Sequence, residues 1–217
     1  MLTLDCLDGS SVSILSCALA LSSCFVGSGT GETTMEITVK PEAKRSLIFS
    51  YGTLKRGFAN HNLMQHLISS NDAVYLGRYR TLDELPLVCG PYGVPFLLNL
   101  PAGPGRHPIR GELYGVSDPG LARIDELEGV TVGHYERFPV RLIKDREDGE
   151  GGAVVEAEAY YLNRSFGEEM WRRNGKVGFG EYTEKKAREY VRRDERPKER
   201  SFLEEIRLFV SSSSSSS

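Results

Sequence analysis

Between residues 46 and 163 the chain alternates short apolar runs with glycine, proline and charge, a spacing that predicts many strands and few helices. Leu47, Ile48 and Phe49 form a compact apolar run ending abruptly near Gly52, which predicts a short buried strand. Gly52 and Gly57 bracket a tight loop. Asn60 then stands where it can cap a helix carrying Leu63, Met64, Leu67 and Ile68 on one face. Further strands are expected at residues 74–79, 95–100 and 109–116, with Pro101, Gly103, Pro104 and Gly105 forming a loop before the third. Ser117-Asp118-Pro119-Gly120 combines a capping residue with proline in the first turn and opens a short helix. Phe138, Val140 and Leu142 alternate with polar positions and proline, as Val155, Ala157 and Ala159 alternate with Glu156 and Glu158. The acidic, glycine-rich residues 145–152 join these two strands as a solvated hairpin loop. The pattern is that of an α+β protein built on a curved or closed sheet.

Residues 164–210 read as a mostly helical extension packed on that domain. Thr183 can cap a helix burying Ala187, Tyr190 and Val191, and Ser201 with Glu204 makes a capping box before Phe202, Leu203, Ile206 and Phe209. Lys185, Lys186, Arg188, Arg192 and Arg193 are interspersed with Glu184, Glu189, Asp194 and Glu195, which reads as ordinary solvated surface rather than an anion-binding face. Residues 211–217 are a serine tail, expected to be disordered. Residues 1–45 read as an appendage, either disordered or an incorrectly predicted N-terminal extension. Their apolar stretch 12–27 is short for a membrane span, the acidic Asp5 and Asp8 argue against a secretory signal, and Met35 is an alternative start.

At 217 residues the chain is long enough for one ordinary domain with a sizeable core. Its formal net charge of −3 gives no reason to propose nucleic acid or a membrane surface as partner. That charge is unevenly placed: Asp5, Asp8 and Glu32 lie in the first 35 residues with no lysine or arginine, leaving 27 of each sign in the rest. Three of the four cysteines, Cys6, Cys17 and Cys24, share that segment. Cys89 alone cannot build a disulfide framework, no Cys/His cluster has metal spacing, and the domain reads as a reduced, cytosolic protein without metal or cofactor.

Gly52 and Gly57 have the spacing of a phosphate-binding P-loop, but Phe58 and Ala59 occupy the positions of its lysine and Ser/Thr, which argues against a nucleotide site. A strand-to-loop-to-helix junction nevertheless presents successive N–H groups that can hold an anion. Across residues 121–128, Leu121, Ile124 and Leu127 form one apolar stripe at 100° per residue. Glu128 falls inside that stripe and Glu126 opposite it. A carboxylate on a core-facing position is costly unless paired or neutral. From the pattern it is either a structural glutamate satisfied by Arg137 or a tyrosine, or a functional one. Asp125, at the stripe's edge, reads as structural. His61, His66, His107 and His134 share no motif, and Cys89 reads as packing.

Tyr51-Gly52-Thr53-Leu54-Lys55-Arg56-Gly57 followed by Asn60-His61 resembles the opening motif of the γ-glutamylamine cyclotransferase family. Thr81-Leu82, Pro86-Leu87-Val88, Pro95-Phe96-Leu97-Leu98, Gly111-Glu112-Leu113-Tyr114, Asp125-Glu126-Leu127-Glu128, Tyr135 with Arg137, and Ala159-Tyr160-Tyr161 follow in the family's order. Trp171-Arg172-Arg173-Asn174 and the ending around Ser201-Phe202-Leu203 are similar to the plant, avirulence-induced-gene-like branch. The resemblance implies a γ-glutamylcyclotransferase-like fold over residues 46–163, a small curved or barrel-like mixed sheet with short helices. It implies an enzyme that cyclises the γ-glutamyl group of γ-glutamyl amines, such as γ-glutamyl-ε-lysine, to 5-oxoproline and a free amine. Glu128 then corresponds to the catalytic base and acid, and the Tyr51, Gly52, Thr53 and Leu54 backbone to the glutamyl-binding loop. Lys55 and Arg56 either add positive charge there or are simply solvated. The partner implied is a small γ-glutamyl substrate. A sister activity on γ-glutamyl amino acids, or a ligand-binding protein that keeps the fold, would use the same residues, and the oligomeric state is not specified.

Overall fold

The computed structural model describes residues 45–145 and 152–212. The expectations for residues 1–44, for most of the 145–152 hairpin loop and for the end of the serine tail fall outside these. In chain order the elements are β1 (Ser46–Ser50), α1 (His61–Ser69), β2 (Ala73–Leu85), β3 (Leu87–Cys89), β4 (Pro95–Leu97), β5 (His107–Val116), α2 (Asp118–Glu128), β6 (Tyr135–Lys144), β7 (Val155–Leu162), α3 (Gly167–Arg173), α4 (Glu184–Ala187) and α5 (Phe202–Ser211). Three 3-10 turns, at Pro91–Gly93, Arg164–Phe166 and Arg193–Glu195, connect them.

Five strands close into a barrel in the order β1-β5-β2-β6-β7. Neighbours are antiparallel except β1 and β7, which close the ring in parallel with Ile48 opposite Glu158 and Phe49 opposite Ala159. Closure removes the open edges that a five-stranded sheet would otherwise present. It also explains the continuous apolar runs. On β1, Ile48 packs outward beneath helices with Met64, Leu67 and Ile124, while Phe49 points inward with Leu113, Ala159 and Tyr161. A strand buried on both faces has no polar side to alternate with. The small hairpin of β3 and β4, of which only the second strand was expected, sits beside the barrel.

α1 begins as expected at Asn60, but the Asn60 side chain does not cap it: its amide donates instead to Thr53 Oγ1 (2.9 Å) and to the Tyr190 hydroxyl (3.1 Å). Met64 and Leu67 are buried while Ile68 is 41% exposed, so the apolar face is narrower than four residues. α2 is capped by Ser117, whose Oγ accepts the Gly120 N–H at 3.2 Å. It ends at Gly129 in the left-handed region (φ 68°), where the N–H groups of Gly129 and Val130 bond back to Glu126 and Asp125. A side chain there would be strained and would also meet His134. Glu128 is therefore the last residue of its helix.

In the extension, the Ser201–Glu204 capping box is present and α5 buries Ile206. The helix from Thr183 is shorter than its periodicity suggests: it stops at Ala187 and leaves Tyr190 and Val191 in loop. Tyr182 plugs the barrel with its ring and donates its hydroxyl to the Gly93 carbonyl at 3.1 Å. No helix of the described residues is long and apolar enough to cross a membrane.

Candidate active site

The parallel strands β1 and β7 end side by side, and the chain leaving β1 bends over their ends. Tyr51 locks this junction. Its hydroxyl donates to the Tyr160 carbonyl at 2.6 Å and accepts the Leu97 N–H at 3.3 Å. Burial, and after it the charge of Glu128, pushes the Tyr51 phenol well above its ordinary range, so it stays protonated. The next residues turn twice, with the Lys55 N–H donating to the Gly52 carbonyl and the Asn60 N–H to that of Thr53. The N–H groups of Gly52, Thr53 and Leu54 find no acceptor among the described residues. Three neighbouring donors without acceptors, at the mouth of a hollow, are equipped to hold an oxyanion or carboxylate.

Gly52 does not need its glycine for backbone angles, since its φ is not positive. It needs the space: a Cβ there would sit 2.9 Å from Pro95 Cγ. Gly57 is the conformational glycine of the loop, with φ 86° and open surroundings.

Tyr51, Gly52, Thr53, Leu54 and Glu128 all line one cavity of about 540 Å³. Tyr135 and Tyr160 also line it, and the Tyr135 hydroxyl donates to the Pro95 carbonyl at 3.1 Å. Glu128 reaches the cavity from the end of α2, keeping part of its surface open to the hollow while protein surrounds it. Burial, with Asp125's charge as the smaller cause, raises its pKa from 4.5 to about 7. Among the described residues it makes no hydrogen bond or ion pair. The partners considered from the sequence are taken. Arg137 lies 3.1 Å from Asp125 Oδ1 and 3.3 Å from Glu158, and the Tyr160 hydroxyl donates to Asp125 at 2.6 Å. Glu126 is exposed on the far side of the helix.

Lys55 and Arg56 do not share this cavity. Lys55, expected on an exposed loop, is 5% exposed, donates Nζ to the Tyr182 carbonyl at 2.8 Å and lies 3.7 Å from Glu181. Burial is the main cause of its lowered pKa. Arg56 donates its backbone N–H and Nε to the Glu112 carboxylate (2.9 and 3.1 Å) and its guanidinium to the Tyr75 hydroxyl at 2.6 Å. Residues 51–54 thus face the cavity, whereas Lys55 and Arg56 together line a separate hollow with Arg78, Glu112 and Glu181.

The sequence assigned none of the outer-wall residues to the cavity, and Arg193 read as solvated surface. The extension crosses the cavity mouth and contributes Tyr190, Arg193, Arg196 and Phe202. It is fastened by the Val191 N–H on the Tyr92 carbonyl (2.9 Å), by Asn60 on the Tyr190 hydroxyl, and by Phe202 stacked on Phe96 with centroids 6.3 Å apart. The helical period read through Tyr190 and Val191 does not announce this crossing, and residues 192–200 carry no such period.

The family described as Gamma-glutamyl cyclotransferase, AIG2-like, matches residues 48–184, from the closing strand into the extension. The chain belongs to this family, and it is an enzyme of the gamma-glutamylcyclotransferase type. A protein of Arabidopsis thaliana with the provisional name gamma-glutamylcyclotransferase is 57% identical over 178 residues, covering 78% of this chain and 94% of the relative. The human gamma-glutamylaminecyclotransferase is 39% identical over 107 residues, 48% of this chain and 67% of the relative. Among solved structures, the crystal structure of an AIG2-like protein from Mus musculus superposes with a TM-score of 0.54 at 28% identity, over 72% of this chain and 99% of the other.

Proposed function

We propose that this enzyme is a γ-glutamylamine cyclotransferase: it converts γ-glutamyl amines to 5-oxoproline and the free amine, with Glu128 as base and acid. The observation that carries the reading is the placement of Glu128, unpaired, recessed and titrating near 7, in the same cavity as the open N–H groups of Gly52, Thr53 and Leu54. Its likeness to the human gamma-glutamylaminecyclotransferase supports the choice of substrate class.

The reaction needs no nucleophile from the protein, because the substrate's own α-amine is tethered to its γ-carbonyl at high effective concentration. Glu128 takes one proton from the α-ammonium, and the freed amine attacks the γ-carbonyl carbon to close a five-membered ring. The loop N–H groups stabilise the oxyanion that forms and hold the glutamyl carboxylate. Collapse breaks the bond to the leaving nitrogen, to which Glu128 returns the proton. The second proton lost from the ring nitrogen also departs with the amine, which leaves as an ammonium. Protons balance, and no redox step or cofactor enters. A carboxylate with pKa near 7 suits both halves of this exchange near neutral pH.

The test is to incubate the purified chain with γ-glutamyl-ε-lysine and quantify the products. Equal amounts of 5-oxoproline and lysine are expected. Glutamate in place of 5-oxoproline would show hydrolysis by water, and this reading would be overturned.

A further inference from the structure

Every lysine and arginine on the cavity wall comes from one short segment. Arg193, Arg196, Lys198 and Arg200 line the cavity, whereas the loop, the barrel and α2 contribute none. The same segment holds Asp194, Glu195 and Glu199, and none of these lines it. In this stretch of mixed charge the basic residues border the open cavity mouth and the acidic ones do not, although of the four only Arg196 is partly buried. A solvated surface does not require that sorting.

Three of these four cations are not neutralised. Arg200 lies 3.7 Å from Glu205, itself on the wall. Arg196 donates Nε to the Val191 carbonyl at 3.0 Å, and its guanidinium lies 4.8, 5.4 and 5.5 Å from the ring centroids of Phe202, Tyr190 and Tyr92. This cage fixes the charge in place without cancelling it. Among the described residues, Arg193 and Lys198 make no ion pair; the nearby Asp194 is instead 3.7 Å from Arg192. Arg193 and Arg196 both act on His134 across the cavity: after burial, their charges are the causes that lower its pKa.

We propose that this cationic wall binds an anionic group on the leaving amine, so that the enzyme's substrates are γ-glutamyl conjugates of amines carrying a carboxylate or comparable acid. The inference rests on the cyclotransferase reading above and names the half of the substrate that reading leaves open. The glutamyl half has the loop N–H groups for its own carboxylate and oxyanion. The remaining space faces the extension, where a leaving group bearing positive charge would meet like charge. The wall therefore selects by attraction and by repulsion.

Three conjugates of equal chain length test this on the full-length enzyme: γ-glutamyl-4-aminobutyrate (anionic leaving group), γ-glutamyl-n-butylamine (neutral) and γ-glutamyl-1,4-diaminobutane (cationic). The expected order of kcat/KM is anionic, neutral, cationic, with about tenfold between the first two, equivalent to about 1.4 kcal/mol, expressed mainly in KM. Raising the ionic strength should compress that spread. The double variant Arg193→Gln, Lys198→Gln alters two exposed side chains. It should shrink the anionic preference to about threefold or less and raise turnover of the cationic conjugate. Lys185→Gln, exposed and outside the cavity, is the charge control and should leave all three values unchanged.

Similar kcat/KM for all three conjugates in the parent enzyme would overturn the inference while leaving the cyclotransferase reading standing. A uniform fall across the series in the double variant would place these cations on the glutamyl carboxylate and would also overturn it. Failure of every conjugate to yield 5-oxoproline would remove the reading and the inference together.

Discussion

The Tyr160 hydroxyl donates to Asp125 Oδ1 at 2.6 Å, and that bond helps to leave Glu128, three residues later on α2, without a donor. Arg137 completes the arrangement by pairing with the same Asp125 carboxylate at 3.1 Å. One helix end thus carries two carboxylates in different surroundings: Asp125 is hydrogen-bonded and paired, while Glu128 is unpaired and shifted toward neutrality.

This arrangement sets the expected behaviour of Asp125→Asn. Removing the Asp125 charge removes the smaller cause of Glu128's raised pKa and frees Arg137 and Tyr160 to approach it. Both changes favour the carboxylate. The acid limb of kcat/KM, expected near pH 7 in the parent, should move downward in the variant, yet remain above the ordinary glutamate value because burial persists. A pH–rate profile checks this, and an unmoved limb would mean that Glu128 is not the group being titrated.

Stability should carry the same titration with the opposite benefit. Glu128's folded-state pKa of about 7 lies above the ordinary 4.5, so the folded protein holds this proton more tightly than the unfolded chain. Its contribution to stability is full below about 4.5 and is lost as pH rises through about 7. Glutamine imitates the protonated acid at every pH. Glu128→Gln should therefore match the parent in acid and exceed it at pH 8 by about 1–3 kcal/mol, a range reduced to allow for the cavity's contact with solvent. Thermal or urea unfolding at both pH values measures the difference.

Gly52→Ala addresses the loop. The new methyl would start 2.9 Å from Pro95 Cγ, on a ring with little freedom to move, so either the loop or β4 must shift. A stability loss of about 1–3 kcal/mol is expected. Weaker binding of 5-oxoproline by calorimetry should accompany it, since the shifted backbone carries the open N–H groups. Undiminished binding to the folded variant would take the loop out of the site.

Lys55→Met should cost stability without touching substrate binding. The ammonium holds the Tyr182 carbonyl and points away from the cavity, so its loss leaves a buried acceptor unpaired and is expected to destabilise by about 1–3 kcal/mol. KM should change little. A large KM effect at unchanged stability would return Lys55 to the substrate.

The contrast between Glu128 and Lys55 shows which parts of this site could be read from sequence. Glu128's direction followed from helical period, because Leu121, Ile124 and Leu127 mark the core side and Gly129 ends the helix. Loop residues have no period, so Lys55's burial depended on Tyr182, 127 positions away. Strand positions were legible as apolar runs, but closure of the barrel through β1 and β7 joins segments about 110 residues apart and leaves no local trace. The capping box at Ser201 was visible from spacing alone. The placement of Arg196 was not, because its neighbours Tyr190 and Phe202 hold it only together with Tyr92, 104 positions away.

The central claim is that Glu128 moves the proton whose removal allows ring closure, and 5-oxoproline formation by Glu128→Gln, with Glu126→Gln alongside, tests it most directly. Both substitutions keep side-chain length and shape, and both sites lie at the end of α2, one facing the cavity and one exposed. Loss of a general base typically lowers the rate by about two to four orders of magnitude, which is the result expected for Glu128→Gln, while Glu126→Gln should stay within about twofold of the parent. If the two folded variants cyclise a γ-glutamyl amine at similar rates, Glu128 is not the base and the mechanism is wrong at its centre.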